Sequence, residues 1–384
     1  MTTRNPTPKT GHFAFALGGL AGNNAQGAGF LAAALDAKMT PAALTCTSGQ
    51  IYWTYLYLSA LKNERKGDFL EEKMNEYLAQ TEPFPSRDAN LWRMALLGKP
   101  GMMRLATPEC AADILRNSVV AASKAAAEWP TGFFLKTVSE IWPERTAICE
   151  FPESFFEDVA DAFNDAGERD IAIAFNAYNP KKGREVVHMN GRAFDLLGKR
   201  PGDKHGAYRS RTSYEEITGQ SVRDGLWIYQ YGVAGHEGLD GCYFRQTMLS
   251  EAALMPTIFV CRPINYKWLG ELPTSYIEGE DLKTEVFMNA AYQGERDKIV
   301  LINKLLDKKA LDPSKYHRVW LEEVEIEVQR GYFDYVFEDK SVFDQAREEA
   351  RKKFTRLTSE RRPFPVEKDL GPVTPATARE WMSA

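Results

Sequence analysis

Ser48 stands in Thr45-Cys46-Thr47-Ser48-Gly49-Gln50, between an apolar run that reads as a strand and another that reads as a helix. A serine on such a tight strand-to-helix turn has its hydroxyl pushed out at a sheet's edge, beside the N–H groups that open the helix. Those groups can hold a developing oxyanion, so the chemistry on offer is nucleophilic attack by serine on an acyl carbon. A plainer reading makes the same Thr-Ser-Gly turn a helix start, with Ser48 as its cap.

Two further segments bear on this choice. Gly18-Gly19-Leu20-Ala21-Gly22 can bring unhindered backbone N–H groups towards an oxyanion, or towards a phosphate, because glycine permits close backbone approach. As a dinucleotide fingerprint it fails, since Gly18-x-Leu20-x-x-Asn23 breaks the G-x-G-x-x-G pattern, and no lysine follows as a Walker A loop requires. Asp240-Gly241-Cys242 follows the glycine-spaced stretch Gly232 to Gly238 and precedes an apolar strand, which places Asp240 at the sheet's edge. Alone, Asp-Gly is only a turn signal. A Ser–His–Asp triad is the competing mechanism, with His188, His205, His236 and His317 as partners and His12 beside the first strand.

The elements that must position these groups repeat a β-turn-α pattern, which favours a parallel sheet. Phe13 to Leu17 reads as a strand and Gly29 to Ala37 as a helix of small residues. Ala42 to Cys46 reads as the next strand, and Gln50 to Leu61 as a helix apolar on nearly every face. Ile171 to Phe175, Glu185 to His188 and Thr257 to Cys261 extend the sheet, with a helix expected over Tyr214 to Tyr231. Residues 64–165 change to helical segments punctuated by prolines and read as a cap or insertion. Within it, residues 91–106 combine Trp92 and three methionines with only positive charges, as a lid touching lipid would. An ordinary helix-turn-core segment fits them too. Residues 266–384 read as a C-terminal extension, with helices over 298–311 and 343–354 and a strand over 317–328.

With 384 residues, 44% hydrophobic and 26% charged, the chain can bury a sizeable core. Its net charge of −5 gives no general pull towards nucleic acid or an anionic membrane. Five widely spaced cysteines without a Cys-x-x-Cys pair fit buried thiols in a reducing compartment. The opening residues lack a secretory signal pattern and no run is long enough to span a bilayer, so the expected location is cytoplasmic.

In order and context these motifs resemble the patatin-like phospholipases, serine acyl hydrolases with a Ser–Asp dyad. The family's oxyanion loop resembles Gly18 to Gly22, its G-x-S-x-G turn resembles Cys46 to Gln50, and its Asp-Gly-Gly/Ala motif resembles Asp240-Gly241-Cys242. The resemblance covers residues 12–62 and 225–265. It implies a three-layer α/β/α fold with a mainly parallel central sheet and a helical cap. It also implies lipid acyl-ester hydrolysis without cofactor or metal, Ser48 as nucleophile, Asp240 as base, and Gly18, Gly19, Leu20 and Gly49 around the oxyanion. Leu20 replaces a family glycine, and Cys46 and Gln50 replace both outer glycines of the serine turn. Those larger side chains call for either a relaxed turn or compensating small neighbours such as Ala32 to Ala34. Asn23, Asn24 and Gln26 are neutral donors available in place of the family's basic residue. A patatin-fold scaffold that has lost activity and binds lipid or protein is the alternative function.

Overall fold

The computed structural model describes residues 11–20, 24–81, 83–86, 89–90, 93, 102–104, 107–127, 147–205, 212–228, 237–265, 268–269, 272–274, 276–327 and 340–359. The chain divides into two compact units, one of Met1–Leu78, Glu153–Trp227 and Glu237–Ala384, the other of Ala79–Pro152 and Ile228–His236. The second unit contains a two-stranded antiparallel ladder, β3 (Met102–Arg104) with β4 (Ala147–Cys149), and helix α4 (Thr107–Ala127). Residues 64–165, expected as a cap, fall in both units. Helix α3 (Asp68–Thr81) lies mostly in the first unit, and α5 (Glu153–Glu168) wholly so. Helix α5 buries Phe156, Val159, Ala160, Phe163 and Ala166, a helical repeat that makes one apolar face. Most of residues 91–106 lie outside the described residues.

The first unit is built on a nine-stranded, mostly parallel sheet flanked by helices. Its strands are β1 (Gly11–Leu17), β2 (Pro41–Cys46), β5 (Ala172–Asn179), β6 (Arg184–Met189), β7 (Lys204–His205), β8 (Thr212–Glu216), β9 (Leu239–Asp240), β10 (Thr257–Cys261) and β11 (Trp320–Val324). They run in the order β11-β10-β1-β2-β5-β6-β8-β7, with β9 paired antiparallel to β5 at Ala177↔Asp240. From β11 to β5 every pairing is parallel; β6 turns back against β5. In parallel strands the carboxyl ends gather on one edge, where open α/β sheets place their ligands. Leu17, Cys46 and Cys261 sit in register at that edge.

Alternation along the strands gives the sheet two different faces. On one, Phe15 meets Phe30 of α1 (Ala25–Asp36), Phe259, and Phe354 of α10 (Lys340–Ser359), with ring centroids 4.8, 6.0 and 6.3 Å apart. Tyr57 of α2 (Gln50–Lys62) joins this cluster. On the other face Ala14, Ala16, Ala43, Ala172 and Ala174 let Met248, Leu249, Ala252 and Met255 pack close, around the short helix α8 (Leu249–Ala252). Phe194 and Leu197 of α6 (Gly191–Leu197) and Ile299 and Ile302 of α9 (Tyr276–Asp307) complete that layer.

Two expectations change. Tyr214 to Tyr231 is not one helix: β8 ends at Glu216, and Thr218 and Ser221 form a reciprocal capping box that starts α7 (Gly219–Leu226). Nor is the C-terminal region an addition to a finished sheet. Strand β11 pairs with β10, and α10 lies so close on α1 that a Cβ on Gly29 would stand 2.1 Å from the Phe343 carbonyl oxygen. Among the described residues no helix is long and apolar enough to cross a membrane.

Candidate active site

Ser48 occupies the turn between β2 and α2 with φ of +59°, a left-handed conformation that serine rarely adopts. The turn is tight: Thr47 N–H donates to the Leu17 carbonyl at 3.2 Å, Gln50 N–H to Thr47 at 3.2 Å, and Ile51 N–H to Ser48 at 2.9 Å. A non-glycine residue held there costs on the order of 1–3 kcal/mol and persists only where its surroundings over-determine it.

Those surroundings are glycines pressed against backbone and buried amide side chains. A Cβ on Gly19 would lie 2.1 Å from the Thr47 carbonyl oxygen and 2.5 Å from Ser48 Cβ, so only glycine lets the loop after β1 press against the serine turn. A Cβ on Gly49 would meet Asn24 Nδ2 at 2.1 Å. The turn is not relaxed, and the small residue that admits Gln50 is Gly27 of α1, not Ala32 to Ala34. A Cβ there would stand 2.0 Å from Gln50 Oε1. The Gln50 amide donates to the Asn24 carbonyl at 3.2 Å, tying α2 to the start of α1. Cys46 is fully buried, and burial pushes its thiol up to about 12, which leaves it unreactive.

Asp240 ends β9. Ser48 Oγ donates to its Oδ2, and the Cys242 N–H donates to its Oδ1 at 2.9 Å. Its own N–H donates to the Trp227 carbonyl at 2.8 Å. The carboxyl group is wholly buried, and burial raises its pKa to about 6 against the pull of the Ser48 and Cys242 hydrogen bonds. A carboxylate so placed is still ionised at neutral pH but is a better base than an exposed one.

The structure brings Gly18, Gly19, Leu20 and Gly49 to the same edge and divides their roles. Gly18 N–H donates to the Cys261 carbonyl at 2.9 Å, and Leu20 N–H to Asn24 Oδ1 at 3.2 Å. Among the described residues, the amides of Gly19 and Gly49 make no such hydrogen bond. Of the neutral donors, Gln26 turns away to the Val324 carbonyl at 3.0 Å, whereas Asn24 lies buried against Gly49. Asn23 is outside the described residues.

The described histidines lie elsewhere. His188 is buried against Phe175, its Nδ1 3.3 Å from the Glu216 carbonyl, and burial lowers its pKa to about 4. His317 is half-buried near the carbonyls of Ala253 and Met255, and burial lowers its pKa. His12 is exposed, and His205 lies in β7 at the far end of the sheet. Among the described residues no histidine hydrogen-bonds Ser48 or Asp240; His236 is outside them. No group of three His, Cys, Asp or Glu side chains among the described residues is arranged to hold a metal ion.

Sequence reasoning missed the residues behind Asp240. Asn176 of β5 and Arg245, just after the Asp-Gly turn, meet Glu185 of β6 in the small-residue layer of the sheet. The signal was present only as a buried period-2 position in each strand, with nothing to mark polar side chains as partners.

No protein-family profile matches this chain, and none of the curated proteins matches it.

Proposed function

We propose that the protein is a serine acyl hydrolase of the patatin-like kind, acting on lipid acyl esters through Ser48 and Asp240. The observation that carries the reading is the hydrogen bond from Ser48 Oγ, on a left-handed strand-to-helix turn, to a buried carboxylate. Lipid as the substrate class rests on the resemblance of the three motifs, whereas the chemistry rests on the geometry.

Ser48 Oγ attacks the ester carbonyl carbon as its proton passes to Asp240 Oδ2. The negative charge that develops on the carbonyl oxygen is met by the N–H groups of Gly19 and Gly49. Collapse breaks the bond to the leaving alcohol, which takes the proton back from Asp240, and leaves an acyl group on Ser48. Water then attacks the acyl carbon, gives a proton to Asp240, and the serine leaves with that proton as the fatty acid is released. Asp240 must be ionised to accept the proton, so the rate rises with pH through about 6 and levels off above it.

A fluorophosphonate probe, which phosphonylates activated serines, tests the reading. Label on Ser48 in the wild type, lost in Ser48→Ala and Asp240→Asn and kept in His236→Ala, is the expected pattern. Folded wild-type protein without label on Ser48 would overturn it. A panel of phospholipid, lysophospholipid and neutral-lipid esters then identifies the substrate.

A further inference from the structure

We propose that Asn176 and Arg245 are positioning residues for Asp240, members of a buried charge cluster that sets where the base stands relative to Ser48. The inference rests on the dyad reading above and deepens it.

Arg245 begins where the Asp240 turn ends: the N–H groups of Phe244 and Arg245 both donate to the Gly241 carbonyl, at 3.0 and 2.9 Å. Its guanidinium is one-tenth exposed and forks twice. Nε and one terminal nitrogen donate to the two oxygens of Glu185 at 3.0 and 3.1 Å, and both terminal nitrogens donate to the two oxygens of Glu251 at 2.8 Å each. Glu295 of α9 stands 3.4 Å away and also accepts the N–H groups of Leu249 and Ser250, which open α8. One side chain in the base's own loop is thus tied to β6, α8 and α9.

Asn176 closes the arrangement on the other side. Its Nδ2 donates to Glu185 Oε1 at 2.8 Å, to the Arg245 carbonyl at 3.0 Å and to the Gly241 carbonyl at 3.3 Å. A Cβ on Gly241 would stand 2.3 Å from Asn176 Cγ, so the turn after Asp240 lies directly on this amide. Its neighbour Ala177 pairs with Asp240 across β5 and β9. The turn is gripped at Asp240 by the ladder, at Gly241 by Asn176, and at Arg245 by three carboxylates. A bidentate Arg–carboxylate pair fixes orientation as well as distance, which a lysine, as a point charge, does not reproduce. Replacing such a buried ionic group by apolar residues is often neutral for stability, so the cluster's hold on the turn is separable from any contribution to the fold.

The test is a crystal structure and a labelling profile of Asn176→Ala and Arg245→Lys beside the wild type, with Arg245→Met/Glu185→Gln/Glu251→Gln as a charge-relieved companion that leaves neither Glu185 nor Glu251 as an unpaired carboxylate, while Glu295 keeps the N–H groups of Leu249 and Ser250. Displacement of the base by ~1 Å costs up to about 100-fold in rate, so labelling of Ser48 is expected to fall at least about 10-fold in each folded variant. The pH midpoint of labelling should shift as well, and the Asp240 carboxylate should stand off Ser48 Oγ. A wild-type dyad distance in the variants overturns the proposal, whether or not the protein takes label. So do an unchanged labelling rate and pH midpoint with only a lowered Tm. Absence of label in the wild type strikes at the dyad reading instead, and the crystallographic distance still decides the positioning role.

Discussion

The two arms of the Ser48–Asp240 pair are held by opposite physics. On the aromatic face of the sheet, the serine arm is fixed by close packing, Gly19 giving room to the Thr47 carbonyl and Gly27 and Gly49 to the side chains of Gln50 and Asn24, with no ion pair at the turn among the described residues. On the small-residue face, the aspartate arm is fixed by charge, through Asn176, Glu185 and Arg245. Steric fixation tolerates no added atom, and electrostatic fixation tolerates no lost partner. A site that joins them responds to substitution in two distinguishable ways.

The sharpest break is chemical. Ser48→Ala and Asp240→Asn should each lower turnover of an ester by on the order of 10³-fold or more, since a nucleophile and its base act as a unit. Stopped assays on p-nitrophenyl esters measure it. Next comes Gly19→Ala, whose methyl group meets a carbonyl that cannot move aside; it should cost about 3 kcal/mol in urea unfolding and remove labelling of Ser48. Asp240→Asn has a second effect, of pH-dependent size. Because burial raises the Asp240 pKa to about 6, the folded state favours the protonated form, and that contribution is complete at acid pH and lost as pH rises through 6. The variant should therefore be more stable than the wild type by roughly 2–3 kcal/mol at pH 8 and nearly equal to it at pH 3.5, read from paired denaturation curves.

Smaller effects sharpen the contrast. Gly27→Ala should destabilise by about 1–2 kcal/mol, and Gln50→Ala in the same chain should recover most of that, because the methyl group then fills the space the amide left. No such pairwise rescue is expected between Gly27 and Arg245. Ser48→Gly should be more stable than Ser48→Ala by about 1 kcal/mol, since glycine takes a φ of +59° without strain.

The serine arm was legible in the sequence because its determinants are local. A strand, three small turn residues and a helix within residues 42–61 specify the turn, and the glycines after Leu17 lie in the next unit along. The small neighbour that makes room for Gln50 was expected among Ala32 to Ala34 and is Gly27, because the pairing shows only once α1 and α2 are packed. Asp240 was legible through its Asp-Gly turn, but its pairing with β5 was not, since a two-residue strand leaves no periodicity to read. The helix expected over Tyr214 to Tyr231 fails at Thr218, whose cap outweighs the aromatic run on either side. Arg245, Glu251 and Glu295 carry no mark of one another in the sequence; only tertiary structure makes them partners.

The sheet order carries a consequence for how the protein is made. Strand β1, the first described element, pairs on one side with β10, more than two hundred residues later, and α1 receives α10 near the end of the described chain. During synthesis the ribosome delivers Ser48 long before β10, β11 and α10 exist. The apolar surfaces of Phe15 and Phe30 must wait uncovered for Phe259 and Phe354. Contacts of such long sequence separation form late, so the growing chain carries an aggregation-prone aromatic face through most of translation, and chaperone capture of truncated nascent chains ending before residue 340 would reveal it.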